Sequence, residues 1–119
     1  HKLGGYKVQG KDDHAADQMI KEALILEEAG ADLMVVECVP SSLGGDLSAA
    51  LNIPVIGIGA GPGTDGQVLV LQDMLGISQR LPKFSKDFLK ESNSIQDAIT
   101  AFGIEVRSGT FPAPEHSFK

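Results

Sequence analysis

The sequence has little cysteine, no excess of basic residues and no long apolar run, and each absence excludes a class of protein. Cys38 is the only cysteine, so an internal disulfide is impossible and a reducing, cytoplasmic setting is expected. The formal net charge of -6 disfavours a nucleic-acid partner, which needs a basic face. No apolar run approaches the roughly 20 residues that span a bilayer. We therefore expect neither nucleic acid nor membrane as a partner.

The chain also lacks an initiating methionine. Its first residues, His1-Lys2-Leu3-Gly4-Gly5, are typical of mid-chain sequence rather than of a signal peptide. With 119 residues, of which 42% are hydrophobic, it has the composition of one globular domain at most. We expect it to be a piece of a longer protein.

Helical and strand patterns alternate along the chain. Caps, apolar periodicity and glycine-rich breaks predict each segment in turn. The segments are a loop at 4–10, a helix from Asp12 or Asp13 to Gly30, a strand at 33–39, a helix at 40–51, a strand at 55–59, a glycine-dense loop at 59–66, an apolar run at 68–71, a short helix at 85–91, a terminal helix capped by Ser94 and an extended surface tail at 109–119. This order predicts an α/β fold with a parallel sheet.

Glu37 is the exception in an otherwise apolar strand. Six of the seven residues from Leu33 to Val39 are apolar, which is typical of a strand buried on both faces of a parallel sheet. The carboxyl ends of such strands are where α/β enzymes place their chemistry. Glu37 is therefore a candidate base able to take a proton from a weak carbon acid. The alternative is a structural carboxylate paired with a nearby Lys or Arg.

The glycine loop at 59–66 has two interpretations. Its backbone N–H groups could cradle a phosphate, as glycine-rich loops do in nucleotide sites. However, the spacing is not that of a G-x-G-x-x-G fingerprint, and no Lys follows in a P-loop pattern. Close backbone packing at the strand end, or room for a substrate to approach, is the favoured interpretation.

The remaining polar and sulfur-bearing candidates are predicted to be structural. Cys38 follows Glu37, so it should point to the opposite face and act as a small buried hydrophobe. His14 and His116 have no metal-ligand company in the sequence, and a zinc site is not expected. Asp65 and Asp73 are predicted to be a turn residue and a strand-end residue, with metal ligation as the alternative for either. The basic stretch at 80–90 is predicted to be a solvated face. The alternative is that it contacts the acidic tail of a substrate.

Five blocks of sequence, in order, resemble the ketopantoate hydroxymethyltransferase family, also called 3-methyl-2-oxobutanoate hydroxymethyltransferase. Together they extend over nearly the whole chain, which makes the resemblance specific. The blocks are Gly4-Gly5-Tyr6-Lys7-Val8-Gln9-Gly10, Glu37-Cys38-Val39-Pro40, Ile53-Pro54-Val55-Ile56-Gly57-Ile58-Gly59-Ala60-Gly61 with Thr64-Asp65-Gly66-Gln67, Pro82-Lys83-Phe84, and Glu115-His116-Ser117-Phe118.

The resemblance implies that this chain is the C-terminal part of a (β/α)8 TIM barrel of the phosphoenolpyruvate-mutase and isocitrate-lyase type. In that arrangement residues 33–39 form the sixth strand, 55–59 the seventh and 68–73 the eighth. A barrel of this kind needs about 250 residues, so the N-terminal part would be a partner. The family also implies a homo-oligomer, a decamer in many members, with the terminal helix reaching a neighbouring subunit.

The resemblance further implies a reaction. The family transfers a hydroxymethyl group from 5,10-methylenetetrahydrofolate to 3-methyl-2-oxobutanoate, which gives 2-dehydropantoate on the route to pantothenate. Mg²⁺ holds the keto acid, and its ligands are expected in the missing N-terminal part rather than in this chain. The glutamate of the Glu-Cys-Val-Pro block is Glu37, implied as the proton acceptor. The isolated 119 residues are expected to be inactive.

Two hypotheses therefore remain open at the level of sequence. In the first, the chain is part of the transferase. In the second, it is an independent anion-binding or phosphate-binding α/β module in which the glycine loop is the working part and Glu37 is structural.

Overall fold

The computed structural model describes residues 6–119. Gly4 and Gly5, the first two residues of the predicted loop at 4–10, lie outside the described residues. From Tyr6 to Gly10 the chain has neither helix nor strand, as predicted.

Helices and parallel strands alternate in the first half of the chain, and a helix of 14 residues follows near its end. The elements are α1 Asp13–Glu28, β1 Met34–Glu37, α2 Ser41–Ala50, β2 Val55–Ile58, β3 Gly66–Gln67, α3 Leu71–Met74, α4 Ile95–Ser108 and a 3₁₀ helix Pro114–His116. The mixed α/β architecture with parallel strands confirms the predicted class.

The predicted caps begin the two long helices. The backbone N–H of Ala15 donates to Asp12 Oδ1 at 2.8 Å, which satisfies one of the free donors in the first turn of α1. Asp97 N–H donates in the same way to Ser94 Oγ at 3.0 Å at the start of α4. Gly30, with φ of 111°, follows the end of α1 in the conformation that a glycine adopts most easily.

The strands form a parallel sheet in the order β1, β2, β3. Met34 pairs with Val55, and Glu37 pairs with Ile58. Helices α1 and α2 cover one face, where the first core lies. Its buried members are Ala23, Val36, Val39, Leu43, Leu47, Leu51, Val55 and Ala60.

The other face of the sheet has no comparable cover among residues 6–119. Leu33 is 52% exposed and Val35 is 57% exposed, although both had been predicted to be buried. The expectation of burial on both faces is therefore wrong for this chain by itself. Alternation along the strand still holds, since Val36 is buried against the helices while its neighbours Val35 and Glu37 point outward.

The prediction of a strand at 68–73 is wrong. β3 comprises only Gly66–Gln67, and the ladder ends with the bond from Val68 N–H to the carbonyl oxygen of Gly57 at 3.0 Å. Residues 71–74 form the short helix α3 instead. Because β2 ends at Ile58, residues 6–119 offer no partner strand beside the apolar run, and Val68 and Val70 remain exposed.

The predictions of a helix at 85–91 and of an extended surface tail are also wrong. Residues 85–91 contain no helix, and only 88–91 form a bend and a turn. The tail contains a 3₁₀ helix, and its Phe111 is only 2% exposed. Phe111 packs edge to face with Phe88 at 5.3 Å in a second core that also contains Met74, Leu75 and Ala98. Burial of these large rings stabilises the packing of the segment at 85–91 and of the tail at 109–119.

No helix within residues 6–119 combines the length and the apolarity needed to cross a membrane.

Candidate active site

Glu37 is the last residue of β1 and lies at the carboxyl end of the parallel sheet. Its side chain is exposed on the face that α1 and α2 leave uncovered, beside Ile58 of the next strand. Within the described part of the chain it makes no hydrogen bond and no ion pair. The alternative in which Glu37 is locked to a cation is therefore not seen among residues 6–119. The carboxylate is free to contact a substrate or another part of the protein.

Cys38 turns the chain sharply just after Glu37. It is the one non-glycine residue with a positive φ, 52°, that the structure shows among residues 6–119. Such a conformation costs of the order of 1 kcal/mol or more for a side chain with a Cβ, so the surroundings must hold it. The thiol is buried, as predicted. Burial raises the pKa of the Cys38 thiol, and the neighbouring Glu37 carboxylate raises it further.

Backbone hydrogen bonds hold this turn on three sides. Cys38 N–H donates to the carbonyl oxygen of Ile58 at 2.9 Å, and Val39 N–H donates to that of Gly59 at 3.1 Å. The Cys38 carbonyl accepts from Gln9 N–H at 2.8 Å. The position of the Glu37 backbone is thus fixed by β2 and by the segment that precedes α1.

The C-terminal tail supports the same region. Ser41 donates to the carbonyl oxygen of Phe118 through its backbone N–H at 3.0 Å and through its hydroxyl at 3.2 Å. Pro40 and Phe118 form a parallel bridge. The Lys83 ammonium lies 5.0 Å from the centre of the Phe118 ring. Sequence analysis missed these contacts, which we call the clasp. Pro40, Lys83 and Phe118 lie in three of the family blocks, and the co-occurrence of those blocks was the available signal, whereas Ser41 lies in none.

The glycine loop at 59–66 packs tightly, as its favoured interpretation predicted. A Cβ on Gly61 would overlap the Ser41 side chain, and a Cβ on Gly59 would come within 3.0 Å of the Phe84 ring. Phe84 in turn meets the Tyr6 ring edge to face at 5.1 Å. The loop brings the chain from the end of β2 back to the start of β3 without a helix, so small residues are needed along its path.

Asp65 is a structural residue of this loop. Its Oδ2 accepts from Val55 N–H at 2.8 Å and from the Ser48 hydroxyl at 3.2 Å, while its own N–H donates to the Val55 carbonyl at 2.9 Å. The carboxylate therefore joins the loop to the start of β2 and to α2. The predicted turn role of Asp65 is confirmed.

Asp73 and the histidines do not assemble a metal site in the described residues. Asp73 lies in α3 rather than at a strand end, and its Oδ1 accepts from the Ser78 hydroxyl at 2.6 Å. His14 is exposed in the first turn of α1. Within residues 6–119 no three His, Cys, Asp or Glu side chains lie close enough to hold a metal ion. The residues present thus offer no ligand set for the Mg²⁺ that the resemblance implies.

The basic stretch at 80–90 is only partly a solvated face. Lys86 forms an ion pair with Glu105 of α4, with Nζ to Oε1 at 2.9 Å, and its ammonium lies 5.0 Å from the centre of the Phe88 ring. These contacts tie the stretch to α4.

Comparison with known proteins identifies the family. Residues 1–114 match the family model described as ketopantoate hydroxymethyltransferase. Curated proteins named 3-methyl-2-oxobutanoate hydroxymethyltransferase include one from Idiomarina loihiensis, 58% identical over 118 residues that make up 98% of this chain and 44% of the relative. The protein of that name from Alkalilimnicola ehrlichii is 58% identical over 99% of this chain and 43% of its own length. That from Marinobacter nauticus is 57% identical over 100% of this chain and 46% of its own length.

The chain thus spans less than half the length of these curated relatives. The sequence blocks that suggested the resemblance, the parallel α/β architecture and the family match agree with one another. This chain belongs to the ketopantoate hydroxymethyltransferase family.

Proposed function

We propose that this chain supplies part of the active site of an enzyme that transfers a hydroxymethyl group from 5,10-methylenetetrahydrofolate to 3-methyl-2-oxobutanoate. The products are tetrahydrofolate and 2-dehydropantoate, on the route to pantothenate, and one water molecule is consumed. Glu37 is the proton acceptor in this proposal. The observation that carries it is an unpaired carboxylate at the carboxyl end of β1, on the uncovered face of the sheet.

The complete enzyme in this proposal is a (β/α)8 TIM barrel of the phosphoenolpyruvate-mutase and isocitrate-lyase type. β1, β2 and β3 are its sixth, seventh and eighth strands, and the N-terminal part supplies the others. The exposed Leu33 and Val35 support this arrangement, because closing a barrel would bury the face on which they lie. Glu37 would then point into the mouth of the barrel.

The chemical role of Glu37 follows from its position. The carboxylate removes the proton from C3 of the keto acid, and the electrons of that C–H bond pass to the keto oxygen as the enolate forms. C3 then bonds to the one-carbon unit as the bonds between that carbon and the two folate nitrogens break. The consumed water supplies the hydroxyl group, and its other proton, together with the proton removed from C3, protonates the two nitrogens. Any Mg²⁺ that stabilises the enolate would take its ligands from the N-terminal part, since residues 6–119 offer no such set. The described part of this chain contributes Glu37 as the base and the rigid turn at Cys38 that positions it.

The proposal includes the assembly and the setting that the family resemblance implies. The complete enzyme acts in the cytoplasm as a homo-oligomer, a decamer in many family members. Helix α4 provides a contact for a neighbouring subunit, because Ile95 and Ile99 lie exposed on it at 55% and 47%.

A Glu37→Gln variant of the complete enzyme tests the assignment. Glutamine keeps the size of the side chain but cannot accept the proton, so we expect kcat to fall by about 100-fold or more. Exchange of the C3 proton of 3-methyl-2-oxobutanoate in heavy water, followed by NMR without folate, should fall in parallel. That exchange isolates the proposed step from the later transfer of the one-carbon unit.

The matched control is Glu28→Gln, which changes an exposed glutamate on α1 and should leave both rates unchanged. Wild-type exchange by Glu37→Gln would contradict the role of Glu37. Turnover by residues 1–119 alone, without the N-terminal part, would contradict the shared active site.

A further inference from the structure

Ile58 stands next to Glu37 on the uncovered face of the sheet. The two residues are paired in the ladder, and each is the last residue of its strand. Paired residues of parallel strands point to the same face, and neighbouring strands lie about 4.8 Å apart. Among residues 6–119, β2 is the one strand that flanks β1. Ile58 is therefore the side chain that the described part of the chain places beside the carboxylate.

The turn after β1 also fixes the position of Ile58. The Ile58 carbonyl accepts from Cys38 N–H at 2.9 Å, and the next carbonyl, that of Gly59, accepts from Val39 N–H at 3.1 Å. Isoleucine branches at Cβ, so its side chain adopts few conformations. The apolar group beside Glu37 is thus held in place before a substrate binds.

The two cores of the described residues do not account for this isoleucine. Ile58 is only half-buried, and it belongs neither to the core under α1 and α2 nor to the second core around Phe111. Its neighbours along the chain, Gly57 and Gly59, have no side chains. Ile58 therefore presents an apolar surface alone at the carboxyl end of β2, on the side of the sheet where Glu37 lies.

The keto acid of the proposed reaction has apolar groups at the matching place. Its C3 carries the hydrogen that is removed and two methyl groups. A carboxylate that takes this hydrogen must approach C3 to about 3 Å. Each methyl group is one bond from C3, so at least one of them lies within about one strand spacing of the carboxylate. On the β2 side of Glu37, the side chain at that distance is Ile58.

We propose that Ile58 determines specificity by packing against a methyl group on C3 of the keto acid. The inference rests on the proposed function, in which Glu37 is the base. The Ile58 side chain fills the space next to that methyl group, so a longer branch on C3 would overlap it. One methylene in such a contact changes kcat/KM by about 10-fold to 200-fold.

The test compares two keto acids in the complete enzyme, 3-methyl-2-oxobutanoate and racemic 3-methyl-2-oxopentanoate, which has an ethyl branch on C3. The measurement is kcat/KM for exchange of the C3 proton in heavy water, followed by NMR. In Ile58→Ala the value for 3-methyl-2-oxobutanoate should fall, because the methyl contact is lost. The value for the longer acid relative to it should rise about tenfold or more, since the ethyl branch occupies the space that alanine leaves.

Ile56→Ala is the matched control. Ile56 lies on the same strand and the same face, but two residues and about 6.6 Å farther from the carboxyl end. Its truncation should change the relative rate of the two acids less than twofold, whatever it does to the Tm. Ile58→Val keeps the fold with a smaller deletion and should shift the relative rate about twofold in the same direction as Ile58→Ala.

The outcomes separate this inference from the proposed function. An unchanged relative rate in both Ile58 variants, beside lost exchange in Glu37→Gln, would overturn the role of Ile58 alone. The same result with only a lowered Tm would show that Ile58 packs against the protein rather than the substrate, and would also overturn it. Wild-type exchange by Glu37→Gln would instead contradict the proposed base.

Discussion

At the scale of single residues, Glu37 and Cys38 show how one peptide unit separates two environments. The carboxylate projects from the open face of the sheet, while the thiol next to it is buried and carries a raised pKa. The positive φ of Cys38 lets the chain leave β1 abruptly without moving Glu37 from the ladder. Sequence pattern indicated the opposite directions of the two side chains, because alternation in a strand is a local property. Sequence pattern could not indicate the positive φ of Cys38, because that conformation depends on contacts with β2 and Gln9.

The lowered pKa of His116 predicts that the free energy of unfolding depends on pH. Burial lowers its pKa below the ordinary value of 6.5, and Lys86 lowers it further, while Glu115 and Glu105 act in the opposite direction. The unfolded chain therefore binds a proton at a higher pH than the folded chain does. The contribution of His116 to stability is complete above about pH 7 and is lost as the pH falls through 6.5 toward the lowered pKa.

The measurement is urea denaturation of the complete protein between pH 5 and pH 8. The wild type should lose free energy of unfolding over this acidic range, and His116→Gln should lose less. If both proteins respond equally to pH, His116 does not contribute in the predicted direction.

At the scale of elements, the glycine pair of α2 shows why two adjacent glycines are not equivalent. Each glycine inside a helix weakens it by about 1 kcal/mol relative to alanine. In the structure, Gly44 is buried where α2 meets the glycine loop, and a Cβ on it would overlap the carbonyl oxygen of Ala60. A Cβ on Gly45 would meet nothing within 4 Å. Only Gly44 is needed for the close approach of loop and helix.

Alanine substitutions should therefore have opposite effects. Gly44→Ala should lower the free energy of unfolding by about 2 kcal/mol, because the loop must move away from α2. Gly45→Ala should raise it by about 0.5–1 kcal/mol, since alanine favours the helix. Chemical denaturation of the two variants beside the wild type measures both changes. Equal effects from both substitutions would contradict the packing role of Gly44.

The individual helices and segments show how much of the fold the sequence could predict. α1 was predicted with its cap at Asp12 or Asp13 and α4 with its cap at Ser94, because capping and helical periodicity depend on residues a few positions apart. The segments at 68–73, 85–91 and the tail were predicted wrongly. Their conformations depend on distant partners, such as Phe88 for Phe111, and a pattern within one segment carries no signal of such a partner.

At the scale of the whole molecule, the uncovered sheet face is the main feature. The sequence could propose Glu37 as a candidate from its place at the end of an apolar strand. It could not predict a cavity lined by Ser85, Glu105 and His116, since its walls come from three separate segments. The exposure of Leu33 and Val35 on the face that carries Glu37 supports burial by the N-terminal part in the complete enzyme.

Lysine substitutions test whether the N-terminal part buries this face of the sheet. In the complete enzyme, Val35→Lys should lower the free energy of unfolding by about 2 kcal/mol or more, because a charge would be placed in a closed interior. Ile25→Lys is the control, since Ile25 is 65% exposed on the side of α1 away from its buried Ala23. It should change the stability by less than about 0.5 kcal/mol. Equal stability of the Val35→Lys variant and the wild type would show that the face stays in solvent.

The clasp between Phe118 and Ser41 joins positions 77 residues apart and ends three residues beyond Cys38. Displacement of Phe118 would leave two donors of Ser41 to water and loosen the first turn of α2. The segment around Phe118 is thus a brace for the turn that follows Glu37, so its loss would disturb the position of that carboxylate before it unfolded the rest of residues 6–119.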